Sequence, residues 1–379
     1  MHILIAPDSF KGSLTAHEAA SAIERGVLQA LPDATIVRHP ISDGGEGLVS
    51  VVTPVLGGRM MTTSVSGPLP GQRVDARWGL SADGSVALIE MAEAAGLPLV
   101  PLDRRDPKVT TTYGVGELIK AALDAGVASI IIGIGGSATN DGGAGMAEAL
   151  GVRFFDSSGN PVGRGGAALL NVAGIDIRGK DPRLNSVEVL VACDVQNTLC
   201  GELGASAVYG PQKGATLSDV ALLDKALERY GTMIRSEMGI DVLEIPGGGA
   251  AGGLGAGLVA FCAGTLMRGI DLVLRVTEFE DRLHGVDLVI TGEGKIDRQM
   301  QFGKALSGVI ERARRCGVPV VAVVGAIEGP REQFINNDFL ADLESLVDAQ
   351  TSDTDAIHNA SMLLSEKTKV LLQRYLSRT

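Results

Sequence analysis

The sequence predicts an α/β protein built from two domains. Short apolar runs alternate with segments of helical periodicity along most of the chain. Several of these runs are unbroken stretches of Val, Ile and Leu, which is typical of strands buried on both faces of a parallel sheet. The chain has 379 residues. Because single cores stop growing at roughly 250–300 residues, we expect two cores.

The strand predictions rest on apolar runs that are bounded by Gly, Pro, Asp or Asn, the residues that favour turns. Helical segments separate most of these runs, and such alternation indicates parallel pairing with ligands at the carboxyl ends of the strands. The predicted strands are Ile3–Ala6, Thr35–His39, Ser85–Met91, Ser129–Gly133, Val187–Ala192, Val286–Thr291 and Pro319–Val324.

The clearest helix start is a capping box, in which Thr15 and Glu18 precede a helix predicted over Ala19–Leu31. The uncharged stretch Pro246–Met267 contains eight glycines and is too weakly apolar for a membrane span. It predicts a Gly-rich loop that leads into a buried helix over Leu254–Met267. The other predicted helices are Gly114–Ala125, Asp219–Met238, Gly303–Cys316 and Asp355–Tyr375.

The middle of the chain has a different pattern. Gly71–Leu80 and Gly84–Met91 alternate apolar with polar residues, which favours antiparallel or mixed strands. The turn-rich stretch Ser66–Gly71 before them is a candidate hinge. We therefore expect a Rossmann/flavodoxin-like domain formed by both chain ends, residues 1–65 plus 281–379. An inserted α/β domain with a mixed sheet is expected over residues 66–280.

The net charge of −12 makes nucleic acid and anionic membrane surfaces poor candidate partners, because both require basic patches. An anionic substrate would then need a locally positive pocket. The four cysteines form no CxxC pair and match no zinc pattern. The N-terminus resembles a first strand and has no basic region before an apolar one, so we expect a cytoplasmic protein.

Candidate chemistry is concentrated where predicted strands end. Such strand ends are where α/β enzymes collect catalytic groups, so the segments together predict one composite site. Most of them place Gly beside Asp, Lys or Ser. The segments are Pro7–Ser13, Ser42–Glu46, Gly133–Gly143, Ala192–Asn197 and Thr291–Asp297.

These residue types suit phosphoryl transfer, which depends on positioning and on neutralising charge. Backbone N–H groups in Gly-rich turns hold phosphates, lysines offset charge, and carboxylates bind Mg²⁺ or accept a proton. An Asp beside Gly also suits a simple turn or helix cap. No P-loop motif occurs in the sequence. The residues alone therefore indicate an α/β enzyme that handles an anionic or phosphorylated ligand without a P-loop.

One alternative is an NAD-dependent dehydrogenase. Gly133-x-Gly135-x-x-Ala138 follows a predicted strand, and Asp156 ends an apolar run further on, as in a dinucleotide fingerprint. Against this, Asp141 would place a carboxylate where the helix that binds the pyrophosphate should begin. A second alternative is a non-enzymatic protein that binds a small anion, which the many charged residues at strand ends disfavour.

Many short blocks of the sequence occur in an order that is specific to one family. These blocks are Ile5–Gly12, Pro40–Gly47, Thr111–Gly114, Gly135–Gly143, Gly210–Ala215, Gly248–Gly255 and Ile290–Gly294 with Asp297. Through them the chain resembles the bacterial type-1 glycerate kinases along essentially its whole length. The resemblance implies two α/β domains with the active site in the cleft between them.

The resemblance implies that ATP, with Mg²⁺, phosphorylates D-glycerate at its 2-hydroxyl to give 2-phosphoglycerate. The residues alone leave the 2-hydroxyl and the 3-hydroxyl open, and a homodimer is an open alternative to a monomer. Asp194 is the first candidate for the base and Asp8 the second, with Lys11 also catalytic. The other predicted site residues are Ser9, Asp43, Gly135, Gly136, Ser137, Asn140 and Asp141 for substrate, Lys213, Gly292, Glu293, Gly294 and Asp297 for nucleotide, and Asp194 with Asp297 for the metal.

Overall fold

A computed structural model of the chain describes residues 1–45, 47–296, 304–335 and 340–378. The strands are β1 His2–Pro7, β2 Thr35–Arg38, β3 Arg59–Ser66, β4 Arg73–Leu80, β5 Val86–Glu90, β6 Ser129–Gly133, β7 Arg153–Phe155, β8 Gly174–Asp176, β9 Glu188–Ala192, β10 Thr265–Met267, β11 Leu288–Gly292, β12 Lys295–Ile296, β13 Val320–Val324, β14 Ala326–Ile327 and β15 Asp342–Ser345.

The helices are α1 Ala16–Ala30, α2 Leu48–Val55, α3 Ala92–Ala95, α4 Tyr113–Asp124, α5 Ala144–Ala149, α6 Ala205–Tyr209, α7 Leu217–Met238, α8 Ala250–Cys262, α9 Gly269–Val276, α10 Phe279–Arg282, α11 Lys304–Arg315, α12 Asp353–His358 and α13 Ala360–Leu376. Every predicted strand and helix has a counterpart here, most of them within two or three residues of the predicted ends.

The chain divides into two compact units, Met1–Asp43 with Ile270–Thr379, and Gly44–Gly269. Residues 44–65 were predicted to belong to the domain of the chain ends but lie in the second unit. Residues 270–280 were predicted to belong to the inserted domain but lie in the first unit. The reason is that β3 pairs along its whole length with β4, while Thr277 at the end of α9 binds His39 beyond β2. The predicted hinge at Ser66–Gly71 is instead the tight connection of the β3–β4 hairpin, closed by Gly67 N donating to Gln72 O.

The first unit contains a parallel sheet with the strand order β15-β13-β11-β1-β2. Its core includes Ile5 and Ile290 from the sheet with Ile23 of α1 and Leu364 of α13, all fully buried. The capping box at the start of α1 is present, with Thr15 accepting from Glu18 N. This is the parallel sheet that the sequence predicts for the chain ends.

The second unit contains a mixed sheet with the strand order β10-β9-β6-β5-β4-β3. Strands β5, β6, β9 and β10 are parallel, and β3 and β4 add an antiparallel edge. Trp78 of β4, Ile132 of β6 and Leu118 of α4 are among the buried residues of its core. The predicted fold class, a parallel sheet from the chain ends and a mixed sheet between them, is confirmed.

Two predicted helices have different ends. Ala263 adopts a left-handed conformation that ends α8, and Thr265–Met267 then pairs with β9 as a strand instead of continuing the helix. Near the C-terminus, Asn359 separates α12 from α13 where a single helix was predicted. Gly303, the predicted start of α11, lies outside the described residues.

Candidate functional site

In the first unit, the predicted segment Pro7–Ser13 and the described part of the segment Thr291–Asp297, which ends at Ile296, meet at one edge of the parallel sheet. Strand β1 pairs with β11 in a register that places Pro7 beside Gly292, and Asp8 N donates to Gly292 O at 2.8 Å. The strand order reverses here, because the chain leaves β1 for β2 on one side while β11 lies on the other. Such a switch point is where open α/β sheets bind ligands.

Glycine is required at Gly292 for a steric reason. A Cβ atom at this position would fall on the main-chain oxygen of Val323, on the neighbouring strand β13. Gly294 approaches the other segment, since a Cβ there would lie 3.3 Å from Lys11 N. The two glycines therefore let the loop after β11 lie close against both neighbouring strand ends.

The carboxyl group of Asp8 has a perturbed pKa. Burial, with a smaller contribution from the nearby negative charge of Asp43, raises this pKa from 3.8 to about 6. The backbone N–H of Ser9, which donates to Asp8 Oδ1 at 2.6 Å, and the charge of Lys11 act in the opposite direction. A carboxyl group with this pKa is mostly ionised at neutral pH and is basic enough to accept a proton.

Lys11 is an exposed cation at this edge, and among the described residues it forms no ion pair. Lys295, by contrast, is paired with Glu328. Both lysines line a cavity of about 200 Å³ beside the ends of β1, β11, β13 and β15. The first unit thus combines a carboxylate, a cation and Gly-rich backbone at one strand edge. Asp297 lies outside the described residues.

In the second unit, the predicted segments Gly133–Gly143 and Ala192–Asn197 also start from neighbouring strand ends. Gly133 at the end of β6 pairs with Ala192 at the end of β9 on one side and with Glu90 of β5 on the other. The half-buried Asp194 follows β9, and its Oδ1 atom accepts from Gly269 N at 2.9 Å. That all five predicted segments share one site stays a prediction.

The surroundings of position 44 explain why a glycine follows Asp43. Gly44 has a φ of +86°, and a Cβ atom there would fall on the backbone of Gly269 and lie 3.1 Å from the Ala192 Cβ. Gly44 and Gly269 are the first and last residues of the second unit. The two ends of this unit therefore pack against each other beside β9, the strand that Asp194 follows.

A cavity of about 540 Å³ lies beside β5 and β6 in this unit. Of the predicted substrate residues, Gly135 and Gly136 are exposed and line it. Glu90 and Glu93 also line it and were missed from the sequence. Glu90 ends a strand that was predicted, but no glycine adjoins it to mark a ligand loop. Its carboxylate accepts from Gly47 N at 2.8 Å and from Val49 N, the first N–H groups of α2.

Three predicted site residues are fully buried and contact the protein itself. Asn140 donates from Nδ2 to Ser206 Oγ at 2.9 Å. Asp141 accepts from Thr112 N at 2.8 Å and also from the N–H groups of Gly143 and Gly145. Lys213 donates from Nζ to Thr139 O at 2.7 Å. Ser137 is also buried, with 6% of its surface exposed. These residues hold the loop that carries Gly135 and Gly136.

Burial perturbs both charged members of this cluster. It raises the pKa of Asp141, against the hydrogen bonds from Thr112 that stabilise the ionised form. It lowers the pKa of Lys213 to about 7, a shift that the charge of Asp141 partly offsets. Neither group faces solvent, and their predicted contacts with substrate and nucleotide stay predictions.

The dinucleotide alternative is wrong. Helix α5 begins only at Ala144, well after the glycines that should open it, and it has six residues. Asp156, the candidate ribose ligand, instead accepts from Ser158 N and Asn160 N within an exposed turn. The loop after β6 therefore has neither the helix N-terminus nor the acidic residue of a dinucleotide site.

Over the described ranges, His, Cys, Asp and Glu side chains form no group of three that could hold a metal ion. The same part of the chain contains no helix that combines the length and the apolar character needed to cross a bilayer.

Known proteins resemble this chain over most of its length. The model of the glycerate kinase family matches residues 3–376. A glycerate kinase of Halalkalibacterium halodurans is 48% identical over 96% of this chain and 95% of its own length. The glycerate 2-kinase of Escherichia coli K12 is 49% identical over 86% of both chains.

A crystal structure from Salmonella typhimurium LT2, provisionally named glycerate kinase 2, superposes with a TM-score of 0.90. It is 48% identical and is matched over 100% of this chain and 98% of its own. Both the sequence family and the fold extend over essentially the whole chain. The chain therefore belongs to the glycerate kinase family of enzymes.

Proposed function

We propose that this enzyme transfers the γ-phosphate of ATP to the 2-hydroxyl of D-glycerate and releases 2-phosphoglycerate. The observation that supports it best is the strand edge of the first unit, where Asp8 and Lys11 lie beside the glycines that follow β11. Phosphoryl transfer requires a proton acceptor, a cation and backbone N–H donors at one place. This edge offers all three.

Within the first unit, Lys11 and the backbone of Gly292–Gly294 bind phosphate, and Ser9 and Asp43 lie next to them. Asp8 accepts the proton of the attacking hydroxyl. The order predicted from the sequence, with Asp194 as the first candidate base, is reversed in this proposal. The reason is that the pKa of Asp8, raised to about 6, suits a general base at neutral pH.

Within the second unit, Gly135 and Gly136 offer backbone groups at an exposed turn for contact with substrate. Asn140, Asp141 and Lys213 keep that turn in place from beneath. Substitution of Lys213 tests this positioning role. Glu293, in the first unit, stays a prediction as a nucleotide contact.

Mg²⁺ is usually held in kinases by one or two carboxylates together with phosphate oxygens, so a cage of three protein ligands is not needed. Asp194 fits this requirement, because it is a half-buried carboxylate at a strand end with Oδ1 already oriented by Gly269 N. Among the described residues, Asp194 would hold the ion. When bound, Mg²⁺ neutralises charge on the transferring phosphate.

The decisive experiment measures ADP release from ATP and Mg²⁺ in the presence of D-glycerate, with NMR identification of the product. We expect ADP release that depends on D-glycerate and a phosphate ester on C2. A product esterified at C3 would overturn the proposed regiochemistry but not the proposed kinase activity. Absence of any glycerate-dependent ADP release would overturn the proposed reaction.

A further inference from the structure

Helix α2 is capped by a side chain from a distant strand. Its N-cap residue, Gly47, has a φ of +89° and no side chain that could accept from the free N–H groups of the first turn. Glu90, at the end of β5, is the acceptor instead. Its Oε1 atom accepts from Gly47 N at 2.8 Å and its Oε2 atom from Val49 N at 3.2 Å. In a capping box two residues of the helix start share this task, whereas here one carboxylate from β5 performs it.

This cap lies against the end of β6. The register of β5 with β6 places Glu90 directly beside Gly133. A Cβ atom at Gly133 would lie 3.7 Å from Glu90 Cγ. It would also lie 3.4 Å from Gly44 O and 3.2 Å from Leu48 Cδ2, at the start of α2. The side chain of Glu90 and the backbone that leads into α2 therefore both pack against Gly133.

The same residues border the cavity of about 540 Å³ in the second unit. Glu90 and Gly133 line it together with Gly45, which precedes α2, and with Gly135 and Gly136, which follow β6. Glycine backbone has more conformational freedom than that of any other residue, so its position must be fixed by its surroundings. Glu90 connects both glycine stretches, because β5 pairs with β6 while the Glu90 carboxylate binds the start of α2.

We propose that Glu90 is a positioning residue for D-glycerate, which fixes the backbone at Gly45 relative to the loop that carries Gly135 and Gly136. The inference rests on the proposed function, because it takes this cavity as the place where glycerate is held. Both Glu90 oxygens accept from N–H groups of the protein, so Glu90 acts through the backbone that it holds. A displacement of about 1 Å in such a site can reduce a rate by roughly 10²-fold.

A helix cap also stabilises a protein wherever it lies, so the test must separate position from stability. Glu117 on α4 supplies the matched control. Like Glu90, it is half-buried in the second unit, and its Oε2 atom accepts from the backbone N–H of a distant residue, Ser66. Glu117 lines neither cavity. Glu117→Gln should therefore lower the melting temperature about as much as Glu90→Gln and leave the kinetics unchanged.

Two variants of Glu90 separate reach from charge. Glu90→Gln keeps the length of the side chain and one acceptor oxygen, whereas Glu90→Asp keeps the charge but is shorter by one C–C bond. Steady-state kinetics are measured with ATP and D-glycerate varied separately. We expect the KM for glycerate to rise roughly fivefold in Glu90→Gln and roughly twentyfold or more in Glu90→Asp, with the KM for ATP within about twofold of the original value.

Thermal melts with and without D-glycerate give a second measurement that does not depend on turnover. A ligand that binds the folded state raises the melting temperature, and the size of this shift reports affinity. The shift caused by a fixed concentration of D-glycerate should be smaller in both Glu90 variants than in the unsubstituted enzyme, and unchanged in Glu117→Gln. Glu90→Gln, the milder change, keeps the test decisive if Glu90→Asp does not fold.

A rise of less than about twofold in the KM for glycerate of folded Glu90→Gln would overturn the inference. A milder effect of Glu90→Asp than of Glu90→Gln would also overturn it, because the charge and not the reach would then matter. Either result leaves glycerate phosphorylation intact. The proposed function itself fails only if the unsubstituted enzyme shows no glycerate-dependent turnover of ATP.

Discussion

Lys213 and Thr139 are joined by a buried hydrogen bond, in which the Lys213 ammonium donates to the Thr139 carbonyl oxygen at 2.7 Å. Lys213 is 1% exposed and lies in a short 3₁₀ turn, Pro211–Lys213, that follows α6. Thr139 belongs to the loop that carries Gly135 and Gly136. The bond therefore connects an inaccessible cation to a loop with accessible backbone.

Lys213→Met should impair catalysis without weakening nucleotide binding. The substitution leaves Thr139 O without its donor but also removes a buried charge, so the change in stability should be small. We expect kcat/KM for glycerate to fall roughly 10–100-fold, with the KM for ATP changed less than about threefold. Lys120→Met, at an exposed position of α4, is the control. A large rise in the KM for ATP would return Lys213 to the nucleotide contact that the sequence predicts.

Asp8 should control the acid limb of the pH profile. Its folded pKa of about 6 lies above the ordinary value of 3.8, so the ionised, basic form is lost as the pH falls through 6. Below that pH, kcat/KM should decrease about tenfold per pH unit. The contribution of Asp8 to the stability of the fold has the opposite pH dependence to its contribution to activity. The raised pKa stabilises the folded state below pH 3.8, and this stabilisation is lost as the pH rises through 6.

Asp8→Asn should lower kcat by roughly 10²-fold or more and remove the acid limb near pH 6. Its melting temperature at pH 7 should equal or exceed that of the unsubstituted enzyme, since the variant no longer buries a charge. The assay is a pH series of steady-state rates on both proteins. Persistence of the limb in a folded Asn variant would assign it to another group.

Lys11→Ala should lower kcat/KM by roughly 10²-fold, consistent with loss of a charge-assisted contact worth ~3 kcal/mol. The fold should survive, because Lys11 is exposed and makes no ion pair within the described part of the chain. Lys369→Ala is the control, since Lys369 lies on α13 in the same unit and lines neither cavity. Near-normal kinetics of purified Lys11→Ala would remove this residue from the phosphate site.

Asp194→Asn distinguishes a metal ligand from a structural acceptor. An Asn side chain can still accept from Gly269 N through its Oδ1 atom, so a purely structural role predicts little change. A ligand of Mg²⁺ loses its charge, and we expect kcat to fall roughly 10²–10⁴-fold with an almost unchanged melting temperature. The required Mg²⁺ concentration should also increase. A loss smaller than about tenfold in a folded variant would assign Asp194 to structure.

Protonation of His39 should destabilise the first unit in acid. The ring is buried, and Nε2 donates to Thr277 Oγ1 at 2.9 Å because the Thr277 hydroxyl itself donates to Val273 O. Burial, with a smaller contribution from the charge of Arg282, lowers the His39 pKa to about 4 from its ordinary 6.5. A depressed pKa means that stability is complete above pH 6.5 and is lost as the pH falls toward 4.

The loss for His39 at pH 4 is on the order of 3 kcal/mol. His39→Gln retains an N–H donor but does not titrate, so its melting temperature should fall less between pH 7 and pH 4.5. The measurement compares the two proteins by calorimetry over that range. Parallel pH dependence in both would show that His39 is not the titrating group.

Local features were readable without the structure. The continuous apolar runs predicted β1, β6, β9, β11 and β13, because strands buried on both faces need no polar alternation. The capping box of Thr15 and Glu18 was also predicted, since it depends on residues three apart. Strand β15 was missed because it contains Asp342, which is buried and paired with Arg331 and Arg374 from distant parts of the chain.

The sequence alone sufficed for the fold class, the family resemblance and the strand ends at which polar residues collect, because periodicity and motif are properties of neighbouring residues. It did not distinguish Asp8, whose charge is perturbed at a strand edge, from Asp141, whose carboxylate is enclosed by backbone N–H groups. Both stand beside similar motifs. Only the tertiary structure separates them, because desolvation and strand register depend on residues that are far apart in the chain.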